Sequence, residues 1–190
     1  MLKRLLDIVI ALALLPFALP VSLIAMALLF AETGVNPIFT QTRVGRHRRP
    51  FTILKLRTMA PHTADMATHE VEAGRITRIG RIVRRIKFDE LPQIINVLAG
   101  HMSFVGPRPC LPVQHQLIAE RDRLGIYELR PGITGPAQLA GIDMSEPHRL
   151  AHADKVYLGK WSAMRDLSIL VRTLLGRGSG DAVLFEEPRS

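Results

Sequence analysis

The chain has 190 residues, of which 47% are hydrophobic and 22% charged, so disorder along its whole length is excluded. Its one cysteine, Cys110, excludes an internal disulfide and a cysteine-rich zinc site. A net charge of +8 favours an anionic partner, such as nucleic acid, anionic lipid or a phosphorylated substrate.

The N-terminus contains a charge-free run, residues 8–30, with Pro16 and Pro20 near its middle. A straight helix of this length would cross the hydrocarbon core of a bilayer. However, each proline removes a helical hydrogen bond, and the two together divide the run into halves too short to span. Basic residues flank the run on both sides: Lys3, Arg4, Arg43, Arg46, Arg48 and Arg49.

Because Lys and Arg prefer the cytoplasmic side of a membrane, basic flanks on both sides favour a segment that enters, bends and returns. The sequence therefore predicts a re-entrant membrane hairpin over residues 1–34, broken at Pro16 and Pro20. A single membrane span is the main alternative. A signal peptide and a buried soluble helix fit the pattern less well, since the apolar run is long and no polar face marks it.

Short extended segments are predicted next at residues 35–39 and 51–56, separated by a basic turn, and residues 60–74 read as a polar loop. Residues 75–86 predict a basic amphipathic helix, because arginine recurs every third residue opposite an apolar face. These residues are Arg75, Arg78, Arg81 and Arg84 on one face and Ile79, Ile82, Val83 and Ile86 on the other. Such a helix lies on an anionic membrane surface or a phosphate-bearing ligand, and a simply solvated arginine face is an equal alternative.

A further helix is predicted to begin at Asp89 as its N-cap and to end at Gly100. Asp89 and Glu90 are adjacent acids that follow six basic residues. In such a pair one carboxylate can act as a nucleophile and the other can bind a hard cation such as Mg²⁺. Ordinary helix capping is the more common reason for acids at this position.

The remaining elements are helices at 114–124 and 166–175, a Gly/Pro loop at 130–141 and a tail at 179–190. Arginine and lysine side chains beside glycine, proline or polar residues are candidate phosphate ligands, because the guanidinium binds phosphate oxygens in a bidentate manner. These are Lys55, Arg57, Arg84, Arg108 and Arg130.

The stretch RITRIGRIVRRIKFDELPQIINVLAGHMSFVGPRP, residues 75–109, resembles the signature of the bacterial sugar transferases, the monotopic phosphoglycosyl transferases. Four further stretches are similar to family segments: PIFTQTRVGR, FTILKLRTM, RPGITGPAQ and DKVYLGKWSAMRDLSILVRTL. The resemblance implies a mixed α/β, helix-rich fold, with a re-entrant helix over 1–34, interfacial amphipathic helices, a catalytic domain over 35–178 and a tail over 179–190.

The resemblance also implies roles for individual residues. Asp89 matches the nucleophile, and Glu90 matches the adjacent Mg²⁺ ligand. The expected substrate-binding residues are Lys55, Arg57, Arg84, Arg108, Pro109, Arg130, Gln138, Asp154 and Asp166. Two departures, Pro136 and Ala140–Ile142, fall in the late loop and bear on specificity more than on chemistry.

The implied reaction moves a sugar-1-phosphate from a UDP-sugar to polyprenyl (undecaprenyl) phosphate through a covalent aspartate intermediate and releases UMP. It implies a site on the cytoplasmic face of the bacterial inner membrane, at the first membrane step of a glycoconjugate pathway. Membrane lipid and downstream glycosyltransferases are the other expected partners, and nucleic acid is not one. The alternative is a membrane-tethered basic protein that binds or scaffolds without catalysis.

Overall fold

A computed structural model of the chain describes residues 1–60, 76–159 and 161–176. The apolar N-terminus forms one helix, α1 (Leu2–Thr33), which ends at Gly34 in the left-handed conformation with φ of 69°. Pro16 and Pro20 lie inside α1, so the predicted separation into two helices at the prolines is not seen. Each proline removes one hydrogen bond, but the helical backbone continues through both.

One side of α1 packs on the rest of the protein and the other sides are open. The buried side consists mostly of small residues, which are Ala11, Ala18, Ser22 and Ala25, together with Asp7 and Leu29. Large apolar side chains that include Leu12, Phe17, Leu23, Ile24 and Phe30 are exposed. By length and composition α1 could cross a membrane, with a mean hydropathy of 2.6 in its most apolar window.

Both ends of α1 bond to the same folded unit. Near the N-terminus, Asp7 Oδ1 accepts hydrogen bonds from Ser103 Oγ at 2.9 Å and from the Phe104 amide at 3.1 Å. At the other end, Glu32 Oε1 accepts a bond from the Arg78 amide at 2.7 Å. Both ends of α1 are therefore held against the residues that follow it.

A β-hairpin follows, built from β1 (Ile38–Val44) and β2 (Pro50–Leu56). The strands are antiparallel, with Gln41 opposite Ile53. The second strand lies close to the predicted segment, whereas β1 starts three residues later than predicted and continues through a polar stretch. Polar Gln41 and Arg43 are buried in β1, so hydrophobicity alone did not mark this strand.

The middle of the chain holds α2 (Arg78–Arg85), a 3₁₀ turn (Phe88–Glu90) and α3 (Gln93–Leu98). Helix α2 begins after Thr77, whose hydroxyl accepts a bond from the Gly80 amide, so it is shorter than predicted. Val83 is buried in a cluster with Leu29 of α1, but Ile82 is exposed, so the apolar residues predicted to share one face are divided.

The C-terminal part is mainly helical around a parallel pair of short strands, β3 (Ser103–Val105) and β4 (Gly132–Thr134). The helices are α4 (His115–Arg123), α5 (Pro136–Leu139), α6 (Pro147–Leu158) and α7 (Ala163–Leu174). The fold is thus mixed α/β and helix-rich, with a long apolar N-terminal helix. The predicted tail at 179–190, Arg75 and nearly all of the predicted loop at 60–74 lie outside the described residues.

Candidate active site

The two adjacent acids lie in the 3₁₀ turn between α2 and α3. Lys87 precedes them in the left-handed region, with φ of 59°, and this conformation turns the chain sharply after α2. Asp89 is buried and only 6% exposed. The N-cap of α3 is Pro92, not Asp89 as predicted. Helix capping therefore does not explain why this pair of acids is here.

Glu90 is held between two cations from distant parts of the chain. Its Oε1 lies 3.2 Å from Lys55 Nζ on β2 and 3.2 Å from Arg108 NH2 in the segment after β3. All three side chains are largely shielded from water. Charges in such a setting interact more strongly than on an open surface. The hairpin, the 3₁₀ turn and the loop after β3 thus converge on the predicted catalytic pair.

Arg84 lies at the end of α2 and donates from Nε to Thr58 Oγ1 at 2.6 Å. Its NH1 is buried and has no hydrogen-bond partner among the described residues. A buried guanidinium nitrogen without a partner is costly and is normally satisfied by a ligand or water. This donor therefore suits an anionic ligand such as a phosphate.

Asn96 was missed by the sequence analysis. Its side chain accepts from the Leu54 amide at 3.0 Å and donates to the Thr52 carbonyl at 2.7 Å. These bonds fasten α3 to β2 on either side of Ile53, and the bonded Leu54 directly precedes Lys55. Asn96 thereby helps to set Lys55 beside Glu90. An asparagine inside a helix carries no distinctive sequence signal, because its partner strand is known only from the fold.

Arg57 and Arg130 bond to backbone carbonyls instead. Arg57 Nε donates to Asn36 O at 2.9 Å. Arg130 Nε donates to Gly100 O at 2.9 Å, at the end of α3 remote from Asp89. Burial lowers the pKa of Arg130, and the nearby guanidiniums of Arg46 and Arg4 add to the effect. Neither residue is brought to the acids by a described contact.

Three further candidates also lie within local networks. Gln138 Nε2 donates to Ile133 O at 3.1 Å, and the Pro109 carbonyl accepts a bond from Arg43 NH1 at 3.1 Å. Asp154 is 1% exposed and pairs with Arg121. Burial raises the pKa of the Asp154 carboxyl, and the Arg121 guanidinium opposes this rise. For these residues the predicted contact with substrate stays a prediction.

Asp166, the last candidate, joins three parts of the chain. One oxygen accepts from Lys3 Nζ at 2.7 Å and Trp161 Nε1 at 3.0 Å, and the other accepts from Tyr157 OH at 2.5 Å. Burial raises the pKa of Tyr157, and its hydrogen bond to Asp166 adds to the rise. Asp166 therefore connects α1, α6 and α7.

Replacing Asp166 with leucine is expected to reduce the free energy of unfolding by about 2–4 kcal/mol. The buried Tyr157 hydroxyl and the Trp161 indole N–H would each lose an acceptor, which typically costs about 1–3 kcal/mol per group. Thermal unfolding followed by the fluorescence of Trp161, the only tryptophan, measures the loss. Asp122→Leu is the matched control, because Asp122 makes only an exposed ion pair with Arg48 and should change stability by less than about 1 kcal/mol. Equal melting temperatures of the two variants would contradict the conclusion that Asp166 stabilises the packing of α1, α6 and α7.

The carboxylate pair suits a magnesium ion in its chemistry. Mg²⁺ is usually held by one or two carboxylates together with substrate phosphates and water. Asp89 and Glu90 supply such a pair, beside cations that a diphosphate substrate would also need. Within residues 1–60, 76–159 and 161–176, no group of three or more His, Cys, Asp or Glu side chains is arranged to hold a metal without a substrate.

Comparison with known proteins gives matches over most of the chain. A family model described as bacterial sugar transferase matches residues 1–177. The UDP-glucose:undecaprenyl-phosphate glucose-1-phosphate transferase of Caulobacter vibrioides is 40% identical, over 90% of this chain and 68% of that protein. The uncharacterized sugar transferase EpsL of Bacillus subtilis is 37% identical, over 91% of this chain and 85% of that protein. The UDP-N-acetylgalactosamine-undecaprenyl-phosphate N-acetylgalactosaminephosphotransferase of Aeromonas hydrophila is 32% identical, over 90% of this chain but only 42% of that protein.

Proposed function

This chain belongs to the bacterial sugar transferase family, and we propose that it transfers a sugar-1-phosphate from a UDP-sugar to undecaprenyl phosphate and releases UMP. The observation that carries the proposal is the buried Asp89 next to Glu90, with Lys55 and Arg108 bonded to that glutamate. Relatives named for this type of transfer, with glucose and with N-acetylgalactosamine, support the reaction class.

The proposed chemistry is two displacements at one phosphorus atom. A carboxylate oxygen of Asp89 attacks the sugar-bearing phosphorus of the UDP-sugar. The bond from that phosphorus to the bridging oxygen breaks, and UMP leaves with the electron pair. A phosphate oxygen of undecaprenyl phosphate then attacks the same phosphorus. The acyl–phosphate bond breaks, the Asp89 carboxylate is restored, and undecaprenyl-diphospho-sugar is formed.

Both steps bring one anion to another, so positive charge at the site lowers the barrier. Lys55 and Arg108 supply it beside Glu90, and the unpartnered NH1 of Arg84 supplies a donor for a phosphate oxygen. Glu90 would hold Mg²⁺ through its carboxylate together with the substrate phosphates. When bound, Mg²⁺ would offset the negative charge of the diphosphate.

The membrane arrangement follows from the exposed apolar surface. We propose that α1 enters one leaflet, bends at Pro16 and Pro20 while staying helical, and returns. Both of its ends bond to the same folded unit, and most of its large apolar side chains are exposed. Helix α7 adds exposed Leu167, Val171 and Leu174, which suit an interfacial helix. The site would then lie on the cytoplasmic face of the inner membrane, where a soluble nucleotide, a lipid carrier and downstream glycosyltransferases can all reach it.

The test is UMP release by the purified full chain in nanodiscs with undecaprenyl phosphate, Mg²⁺ and a panel of UDP-sugars. UMP formation that needs both the carrier and a particular UDP-sugar would support the proposal and identify the donor. Absence of UMP with every UDP-sugar in the panel, from a protein that remains folded, would overturn it.

Glu90→Gln is expected to weaken both the reaction and its response to Mg²⁺. The amide keeps the shape of the side chain but removes the charge that Lys55, Arg108 and the cation would share. UMP release should fall by roughly 10²-fold or more, and the Mg²⁺ concentration for half-maximal rate should rise. A titration of initial rate against Mg²⁺ measures both effects. Glu146→Gln, at an exposed ion pair with Arg149, is the control. A Mg²⁺ titration unchanged in Glu90→Gln would remove Glu90 from the metal role.

A further inference from the structure

The proline-rich segment that carries Arg108 is held by donors from outside it. Four consecutive carbonyl oxygens, those of residues 107–110, each accept a hydrogen bond. The donors are the Gly132 amide at 2.9 Å, Arg121 NH1 at 2.8 Å, Arg43 NH1 at 3.1 Å and the Val44 amide at 3.0 Å. Pro107 and Pro109 have no N–H, so the segment cannot form a regular helix or a full strand ladder. Its conformation therefore depends on these bonds.

Arg121 is the most unusual of the four donors because its side chain is only 2% exposed. Its Nε and NH2 donate to Asp154 Oδ2 at 3.0 and 2.7 Å, while its NH1 reaches the Arg108 carbonyl. Asp154 is also 2% exposed at its side chain. The planar guanidinium can bond a carboxylate with two of its nitrogens and a carbonyl with the third in one fixed geometry.

A contribution to stability does not by itself explain the buried pair of Arg121 and Asp154. Removing two charges from water is costly, and an apolar pair of similar volume is often as stable or more so. The bond from Arg121 to Arg108 is what an apolar pair could not provide. The side chain of Arg108 in turn reaches Glu90 at 3.2 Å.

We propose that Arg121, oriented by Asp154, is a positioning residue that holds Arg108 in place beside Glu90. This inference rests on the function proposed above. It also gives Asp154, whose carboxylate is buried and paired with Arg121, a part in positioning Arg108. Arg43, on β1, holds the next carbonyl and acts in the same direction.

The test uses the full-length double variant Arg121→Met/Asp154→Leu, which removes both charges and keeps the volume apolar. Its melting temperature should stay near that of the wild type or rise. UMP release should nevertheless fall by roughly 10–100-fold, the scale of loss when a group near the reaction is displaced by about 1 Å. Amide hydrogen exchange over residues 106–111 should become faster, because Arg108 O has lost its donor.

A double-mutant cycle with Arg108→Ala separates positioning from a general structural role. If Arg121 acts through Arg108, adding the two substitutions to Arg108→Ala should lower UMP release no further. A merely structural role would give additive losses, which would overturn the proposal. The exposed Glu146–Arg149 pair at the start of α6, the helix that carries Asp154, is the control; as Glu146→Gln/Arg149→Gln it should change neither rate nor exchange.

Two more results would also overturn the positioning role: wild-type rates in the double variant, or unchanged exchange over 106–111. Exchange does not depend on turnover. Hence a wild-type protein that releases no UMP would overturn the proposed function, while the exchange data would still decide whether Arg121 holds the segment.

Discussion

The Asp89→Asn variant is expected to lose UMP release by three orders of magnitude or more, the scale on which loss of a covalent nucleophile acts. An asparagine amide is neutral and a poor nucleophile, so it cannot form the acyl-phosphate. It has almost the same shape as aspartate, so the fold should be kept. Asp89 is only 6% exposed, and this shielding would also protect an acyl-phosphate from water.

The measurement combines a rate and a trapped intermediate. Without undecaprenyl phosphate, the wild type should release about one equivalent of UMP in a burst and gain the mass of a phosphosugar on the peptide that contains Asp89. The variant should show neither. Asp122→Asn, at an exposed ion pair, should behave like the wild type. UMP release that survives in Asp89→Asn would instead indicate direct attack by undecaprenyl phosphate, without a covalent aspartate.

Local sequence signals located the acids but not their surroundings. Two acids after a basic run are visible in the sequence, and so is the resemblance that surrounds them. The position of Lys55, 35 residues before Glu90, follows only from the pairing of β1 with β2 and the bonds of Asn96. Long-range contacts of this kind have no periodic pattern in the chain.

The helices and strands also differed in how well they could be predicted, because some of them depend on long-range contacts. Strand β2 has an apolar pattern and was found, whereas β1 buries Gln41 and Arg43 and was misplaced. Helix α2 was predicted with one apolar face, yet Ile82 is exposed, because the surface against which it would pack is not provided by the described residues. The bonds that hold both ends of α1 to the folded unit also depend on tertiary contacts.

The burial of Arg121 could not be predicted from the sequence. An arginine on a helix in a chain with 25 Lys and Arg residues reads as a solvated side chain. In the fold it is among the largest fully buried side chains. Asp154 was noticed through the resemblance, but its partner could not be chosen from sequence, since the two residues lie 33 positions apart on α4 and α6.

The close approach of β3 and β4 predicts that Gly132→Ala will be strongly destabilising. A Cβ at residue 132 would lie 2.1 Å from the Gly106 amide nitrogen and 2.6 Å from the Thr134 carbonyl oxygen. Both are backbone atoms. Gly106, which follows β3, would have to move away from β4, and β4 itself would have to distort because it also contains Thr134. We expect a loss of about 3 kcal/mol or more in the free energy of unfolding, and a melting temperature lower by about 6–12 °C.

The same substitution should also act on the candidate active site. The Gly132 amide bonds to the Pro107 carbonyl, next to Arg108, so moving β4 loosens the segment that positions this arginine. The rate of UMP release per folded molecule of Gly132→Ala should therefore be lower than that of the wild type. Gly159→Ala is the matched control, because its Cβ would meet no atom within 4 Å and its φ of −89° suits alanine. Thermal unfolding in nanodiscs distinguishes the two variants. A Gly132→Ala protein that melts within about 2 °C of Gly159→Ala would show that the strands are not packed this closely.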